Sequence, residues 1–268
     1  MERFQELGCH SQGTTRRHNL FSRYLHIISY PTRVCLTSLY RSEMKSSRAA
    51  IGRDIALLDS FDSFFSFPDS KGGYSGVAVY TDSRTATPLK AEEGLSGRLP
   101  QKPPPQSPEE RVSRTYPAAH ELELVPDDDG QTPYDLLSLD LEGRALVLDF
   151  GLFVLINLYC PNEGSDARFP YKMNYHLMLQ ERVKGLMAEG REVVVVGDLN
   201  VCAAPIDHGD GHLPSNASTF WDHPARAWMR NWLAPRGPLV DVLRHFWPDR
   251  KGMYTCTFFS RPPRMTDR

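Results

Sequence analysis

The sequence predicts a layered α/β fold, in which strands and helices pack around one core. Three segments indicate it: a run of valines that starts at Val193, two adjacent apolar strand patterns around Gly151, and an amphipathic helix pattern over 169–189. Consecutive β-branched residues suit a strand buried on both faces, whereas helical spacing gathers the apolar residues of 169–189 on one side. Because the helix pattern separates two strand patterns, we expect helices packed on a sheet.

The first third of the chain contains shorter element patterns. Segments 34–40, 61–67 and 74–80 are rich in β-branched, aromatic or small residues and are predicted to form strands. Segment 47–58 has apolar residues at helical spacing and is predicted to form a helix.

A proline-rich segment over 88–131 interrupts these patterns. It combines Pro103, Pro104 and Pro105 with acidic clusters that include 127–129. This composition is typical of a long, mobile loop or insertion.

Two strands are predicted after this loop. Segments 145–150 and 152–159 flank Gly151 closely enough to form a hairpin. Within the second strand Asn157 and Tyr159 alternate with apolar residues, so their side chains are expected on one face.

Composition limits the protein class. The chain has 268 residues, of which 40% are hydrophobic and 24% charged, and can form a sizeable core. It contains no apolar run near the ~20 residues of a membrane span, and no membrane partner is expected.

Its five cysteines are scattered without metal-ligand spacing, which favours a reducing compartment. The net charge of −2 means that DNA contact would need a local basic surface or a metal.

Asp198 and Asn200 follow the valine run as candidate site residues. They stand two positions apart at the carboxyl end of the strand, so both side chains can project to the same side. A carboxylate and an amide oxygen are ligands that Mg²⁺ accepts beside water and phosphate. The alternative is an ordinary turn, since Asp, Gly and Asn are common turn residues.

Four motifs in order resemble the exonuclease III family of AP endonucleases, in its AP endonuclease 2 branch of fungal type. They are GYSGVA at 73–78, AEEGLSG at 91–97, NLYCPN at 157–162 and GDLN at 197–200. The resemblance implies a four-layered α/β sandwich of the endonuclease/exonuclease/phosphatase superfamily. It also implies Mg²⁺-dependent DNA cleavage 5′ to abasic sites, with 3′ exonuclease or 3′ phosphodiesterase activity.

The resemblance assigns roles to single residues. Glu43, Asp198 and Asn200 would hold Mg²⁺, with Mn²⁺ as an alternative. Asp198 would also position or deprotonate the attacking water, while Tyr159 and Asn200 would bind the scissile phosphate and Asn162 the DNA backbone. Phosphoryl transfer needs charge neutralisation and an oriented water, which these groups can supply. The residues alone also allow structural roles. Tyr159 could serve only in packing, Glu43 could be a solvated surface charge, and Asn162 could belong to a turn.

The sequence also departs from the family at both ends. The opening Trp-Asn strand is not found in 1–41, Ser42 replaces the glutamine before Glu43, and no closing Ser-Asp-His follows. We therefore expect an atypical segment 1–41, a domain 42–257 with a Pro-rich loop at about 98–134, and an unmatched tail 258–268. Loss of a general base typically costs ~10² to 10⁴ in rate.

Two alternative functions follow from these departures and from the fold. One is a truncated, catalytically impaired DNA-binding relative or fragment, and the other is a phosphatase acting on a non-DNA phosphoester. The resemblance itself implies abasic or 3′-blocked DNA as partner and a nuclear location. Sliding-clamp contact is not expected, because the tail that usually carries it is absent from this sequence.

Overall fold

The computed structural model describes residues 38–42, 44–69, 74–101, 107–208 and 221–252. These residues form two β-sheets that face each other, with helices on the outer side of the larger sheet. The predicted α/β sandwich is therefore confirmed. Glu43 and the segment 258–268 lie outside the described residues, and the predicted domain boundaries stay predictions.

The smaller sheet has three antiparallel strands in the order β1-β3-β2: β1 (Ser38–Ser42), β2 (Phe61–Ser66) and β3 (Val77–Asp82). The central strand β3 is buried along its whole length, as expected of a strand with a neighbour on each side. Three predicted strands thus form, although the strand predicted over 74–80 begins three residues later than its pattern.

The helix predicted over 47–58 is wrong in length, because only α1 (Arg53–Ala56) is helical. It starts after Gly52 and buries none of its residues. A helix gains most of its stability from packing an apolar face, and α1 has too little of that contact to extend.

The larger sheet has the order β4-β5-β6-β7: β4 (Lys90–Glu93), β5 (Ala145–Asp149), β6 (Val154–Tyr159) and β7 (Val193–Asp198). Its first three strands are antiparallel, and β6 pairs with β7 in parallel. The predicted hairpin around Gly151 is confirmed by the β5–β6 pairing.

The four valines of β7 pack on both faces of the strand, as predicted, with Val193 and Val195 on the helix side and Val194 and Val196 between the sheets, but each of them is only partly buried. Among the described residues β7 pairs with β6 alone and forms the edge of the sheet. A run of β-branched residues predicts a strand but does not reveal how many neighbours it has.

Three apolar clusters show the layers of the sandwich. The first lies between the sheets, where Val77 and Val79 of β3 pack with Leu146, Leu148 and Leu155. The second joins the other face of the larger sheet to α3 (Phe169–Ala188) and α4 (Pro224–Trp232). The third covers the outer face of the smaller sheet around Met44 and Tyr80.

Two shorter helices, α2 (Leu137–Asp140) and α5 (Val242–Phe246), complete the described helices, and none of these is long and apolar enough to cross a membrane.

The segment predicted as a mobile loop over 88–131 is ordered where the structure describes it. Its start forms β4, and the side chain of Glu92 in that strand is buried against the Arg182 guanidinium at 2.9 Å. The Glu92 carboxylate also accepts from the backbone of Val112 at 3.0 Å and from the Tyr116 hydroxyl at 2.5 Å. Charged residues thus anchor this segment on α3. The prediction of a mobile loop came from its low hydrophobicity, and composition does not reveal a buried ion pair of this kind.

Candidate active site

The carboxyl ends of β6 and β7 bring two predicted site residues together. Tyr159 and Asp198 are register partners across the parallel pair, and the backbone N–H of Cys160 donates to the carbonyl of Asp198 at 2.8 Å. Register partners in a parallel pair project to the same face of the sheet. The side chains of Tyr159 and Asp198 are therefore neighbours at this edge.

Asn200 is fixed beside them by two hydrogen bonds. Its backbone N–H donates to Oδ1 of Asp198 at 2.8 Å, and its side-chain Nδ2 donates to the carbonyl of Cys160 at 2.8 Å. The backbone of Asn200 is left-handed, with φ +50°. The amide oxygen is the group of this side chain that can bind a cation, whereas Nδ2 has a second N–H that can donate to a phosphate.

Gly197 allows this close approach of the two strand ends. It has φ +101°, and an added Cβ would overlap the carbonyl oxygen of Leu158 in β6. Glycine is the residue that combines a positive φ with such a contact.

The end of β1 reaches the same edge. Asn157 donates from Nδ2 to the carbonyl of Ala78 at 3.1 Å, and Ala78 is the register partner of Arg41 in β1. On the other side of Glu43, the N–H of Met44 donates to the carbonyl of Gly76 at 2.7 Å. Strand β1 also packs against β6 and β7. Glu43 itself lies outside the described residues, so its approach to Asp198 stays a prediction.

Asn162, the predicted DNA-backbone contact, is exposed on the segment that follows β6. It stands three residues after Tyr159 on the chain. Its contact with the DNA backbone stays a prediction.

The sequence analysis gave no role to Arg144, which is buried directly behind Tyr159. Its Nη1 donates to the Tyr159 carbonyl at 2.8 Å, and its guanidinium lies 4.9 Å from the centre of the Tyr159 ring. Nε donates to Glu142 at 2.6 Å and Nη2 to the Tyr74 hydroxyl at 2.9 Å. Tyr74 belongs to GYSGVA at 73–78, one of the motifs that resemble the family, which was the available signal.

A second arginine joins this cluster at the surface. Arg168 donates to both carboxylate oxygens of Glu142 at 2.6 Å and lies 4.0 Å over the ring of Tyr171. Burial alone would raise the pKa of Glu142, but hydrogen bonds and charge from Arg168 and Arg144 outweigh it and lower the pKa overall. The carboxylate stays ionised, and the two arginines leave a net positive charge beside Tyr159.

The described part of the proposed metal site has oxygen donors of the type that hard divalent cations prefer. Asp198 supplies a carboxylate and Asn200 an amide oxygen. Within the described residues no group of three His, Cys, Asp or Glu side chains is placed to hold a metal. The chemistry of this pair fits a cation that also takes ligands from water, a phosphate or the predicted Glu43.

Comparisons with known proteins agree with the motif resemblance. No family model matches the chain. The chain is 36% identical over 223 residues to the DNA-(apurinic or apyrimidinic site) endonuclease 2 of Schizosaccharomyces pombe, which covers 80% of this chain and 40% of that protein. The protein of the same name from Homo sapiens is 33% identical over 242 residues, or 83% of this chain and 42% of that protein. The chain thus spans well under half the length of these curated relatives.

Solved structures show the same fold. The APE2 catalytic domain of Xenopus laevis superposes with a TM-score of 0.61 at 28% identity, covering 80% of this chain and 65% of that chain. A 3′-5′ exonuclease from Neisseria meningitidis has a TM-score of 0.51 at 20% identity and covers 80% of this chain and 66% of that chain. The second likeness supports the fold alone.

Proposed function

The chain is homologous to the AP endonuclease 2 proteins of the exonuclease III family, and from that premise we propose that it is a metal-dependent nuclease that hydrolyses DNA phosphodiesters. The observation that carries the proposal is the pairing of Tyr159 with Asp198 where β6 and β7 end. A phenol and a carboxylate on one sheet edge, beside two arginines, can bind a phosphate and orient a water for attack on it.

Each residue has a distinct part in this proposal. Asp198 orients the attacking water and takes its proton, while Tyr159 donates a hydrogen bond to a phosphate oxygen. Asn200 stabilises the same phosphate as negative charge grows in the transition state. Asp198 and Asn200 with Glu43 would hold Mg²⁺ or Mn²⁺, which when bound neutralises phosphate charge.

The substrate we propose is DNA that contains an abasic site or a blocked 3′ end. Cleavage 5′ to the abasic site and trimming of the 3′ end would use the same metal and phosphate site, and Asn162 would contact the neighbouring backbone. The names of the curated relatives support DNA with apurinic or apyrimidinic sites. A nuclear location accords with such a substrate and is part of the proposal.

An incision assay on a duplex with one abasic-site analogue tests the proposal. We expect a Mg²⁺-dependent product cut 5′ to the lesion, which disappears when a chelator is added. Asp198→Asn should abolish the product, whereas the matched surface variant Asp128→Asn should retain it, because Asp128 is exposed in a distant part of the sequence.

Two outcomes would reject the nuclease. Tight binding of the duplex without a metal-dependent product would identify a catalytically impaired DNA-binding relative. Release of phosphate from a small phosphomonoester, with no cleavage of DNA, would identify a phosphatase of the same fold.

A further inference from the structure

Two side chains of α3 hold the main chain of the loop that follows Asp198 and contains Asn200. Lys172 donates from Nζ to the carbonyl of Asn200 at 3.0 Å, and Nε2 of His176 lies 3.1 Å from the carbonyl of Leu199. Lys172 and His176 are one helical turn apart and therefore lie on the same side of α3. Consecutive peptide groups of the loop thus each contact a side chain of one long helix.

Lys172 is an unusual residue for this position, because its side chain is only 6% exposed. A buried ammonium is unfavourable unless it is paired and hydrogen-bonded. Its nearest carboxylate is Glu163 at 3.3 Å, and Glu163 also contacts Nε2 of His223 at 3.0 Å. Apolar residues of α3 already pack against the larger sheet, so the helix has other contacts that secure it.

The loop has an uncommon backbone conformation at Asn200. Its φ is +50°, in the left-handed region, which asparagine tolerates better than most other non-glycine residues but which still costs some free energy. The bonds of Asn200 to Asp198 and Cys160 are made by its own N–H and its side chain. The bond from Lys172 fixes the carbonyl, which is the remaining polar group of the Asn200 backbone.

We propose that Lys172 is a positioning residue, which holds the Asn200 peptide so that the Asn200 amide and the Asp198 carboxylate keep the geometry needed at a phosphate. The positioning is a property of the fold, whereas its effect on rate rests on the nuclease function proposed above. His176 supports the preceding peptide from the same side of α3.

The experiment compares Lys172→Met with Lys184→Met, a matched loss of lysine from the same helix. Lys184 is more than half exposed and pairs with Glu181 within α3. The first measurement is hydrogen exchange of the Asn200 amide, resolved by NMR, with the amides of α3 as the internal reference. Lys172→Met should speed exchange at Asn200 by about tenfold or more and leave α3 unchanged.

The second measurement is the single-turnover incision rate at saturating DNA, together with the Kd for DNA. Lys172→Met should lower the rate about 10- to 100-fold while changing Kd less than about twofold, because misplaced groups affect the transition state more than binding. Lys184→Met should match the wild type in both.

Loss of Lys172 leaves the partly buried Glu163 carboxylate with one partner fewer, which could itself destabilise the fold. A second variant separates this effect from the loss of the bond to Asn200. The double variant Lys172→Met with Glu163→Gln removes the charge left behind and should show the same faster exchange at Asn200. Glu163→Gln alone keeps the Lys172 bond and should exchange like the wild type.

Unchanged exchange at Asn200 in the Lys172→Met and double variants would overturn the proposal. Equal losses of rate in Lys172→Met and Lys184→Met would overturn it as well. If Lys172→Met speeds exchange at Asn200 but the wild-type protein does not cleave DNA, the positioning role of Lys172 is supported and the nuclease function is rejected. Failure of one proposal can therefore be told from failure of the other.

Discussion

Tyr159 and Asp198 stand directly opposite each other at the ends of the parallel strands β6 and β7. The bond from the Cys160 N–H to the Asp198 carbonyl continues the pairing one residue beyond Tyr159. Side chains on regular strands are held more rigidly than side chains on loops. The phenol and the carboxylate are therefore set in place by the sheet before any substrate binds.

Removal of the Tyr159 hydroxyl tests its proposed bond to phosphate. Tyr159→Phe keeps the ring, which packs with the apolar residues between the sheets. We expect the single-turnover incision rate to fall about 10²-fold, the usual effect of deleting one donor to a developing oxyanion. The thermal midpoint of unfolding should stay close to that of the wild type. An unchanged rate would exclude a role for the phenol.

Gly197→Ala tests the close approach of β7 to β6. The added methyl group would meet the backbone of Leu158, and the backbone at this position has a positive φ. We expect a loss of at least about 2 kcal/mol in the free energy of unfolding, measured with urea. Gly130→Ala is the control, since it also has a positive φ but no atom within 4 Å of the added Cβ. Equal losses in both variants would contradict the packing described for Gly197.

Arg144→Met tests the buried cation behind Tyr159. Breaking a buried ion pair leaves Glu142 with fewer partners, and we expect a cost of about 3 kcal/mol in the free energy of unfolding. The control Arg84→Met removes an arginine whose side chain is 71% exposed in its pair with Asp82, and should destabilise the fold much less than Arg144→Met, because solvent screens an exposed ion pair. Similar losses of unfolding free energy in the two variants would show that the buried contacts of Arg144 do not stabilise the fold.

Much of the site was predictable because it follows local patterns. The valine run predicts β7, and the alternation of Asn157 and Tyr159 predicts their shared face. These inferences need only the periods of strands and helices and the order of segments. The parallel pairing of β6 with β7, which brings Asp198 to Tyr159, was not among them and is a finding of the structure.

The rest depends on pairings between residues far apart in the sequence. Tyr74 and Arg144 are 70 positions apart, and Glu92 and Arg182 are 90 apart. Neither pair has a periodic signal, and a charged segment such as β4 resembles a loop until its partner is known. For the same reason the valines of β7 predicted a strand but not its place at the edge.

The pH dependence of stability tests the buried His176. Burial lowers its pKa from 6.5 to about 4, and its contacts with the carbonyls of Leu199 and Lys172 oppose that shift only in part. The unfolded chain takes up a proton near pH 6.5 while the folded chain does not, so stability is retained above pH 6.5 and falls as the pH drops towards about 4. The loss is of order 3 kcal/mol at most.

Urea unfolding between about pH 7 and pH 5 measures this contribution before most carboxylates titrate. We expect His176→Gln to flatten the slope in this range, because glutamine does not titrate. A slope equal to that of the wild type would assign the pH dependence to other groups.

The most direct test of the central claim is the affinity of the chain for Mn²⁺, measured by calorimetry on the wild type, on two site variants and on one control variant. If Glu43 and Asp198 hold one cation at the edge where β6 and β7 end, Glu43→Gln and Asp198→Asn should each weaken binding about tenfold or more, and Asp128→Asn should leave it unchanged. Wild-type affinity in both Glu43→Gln and Asp198→Asn would contradict a shared metal and phosphate site.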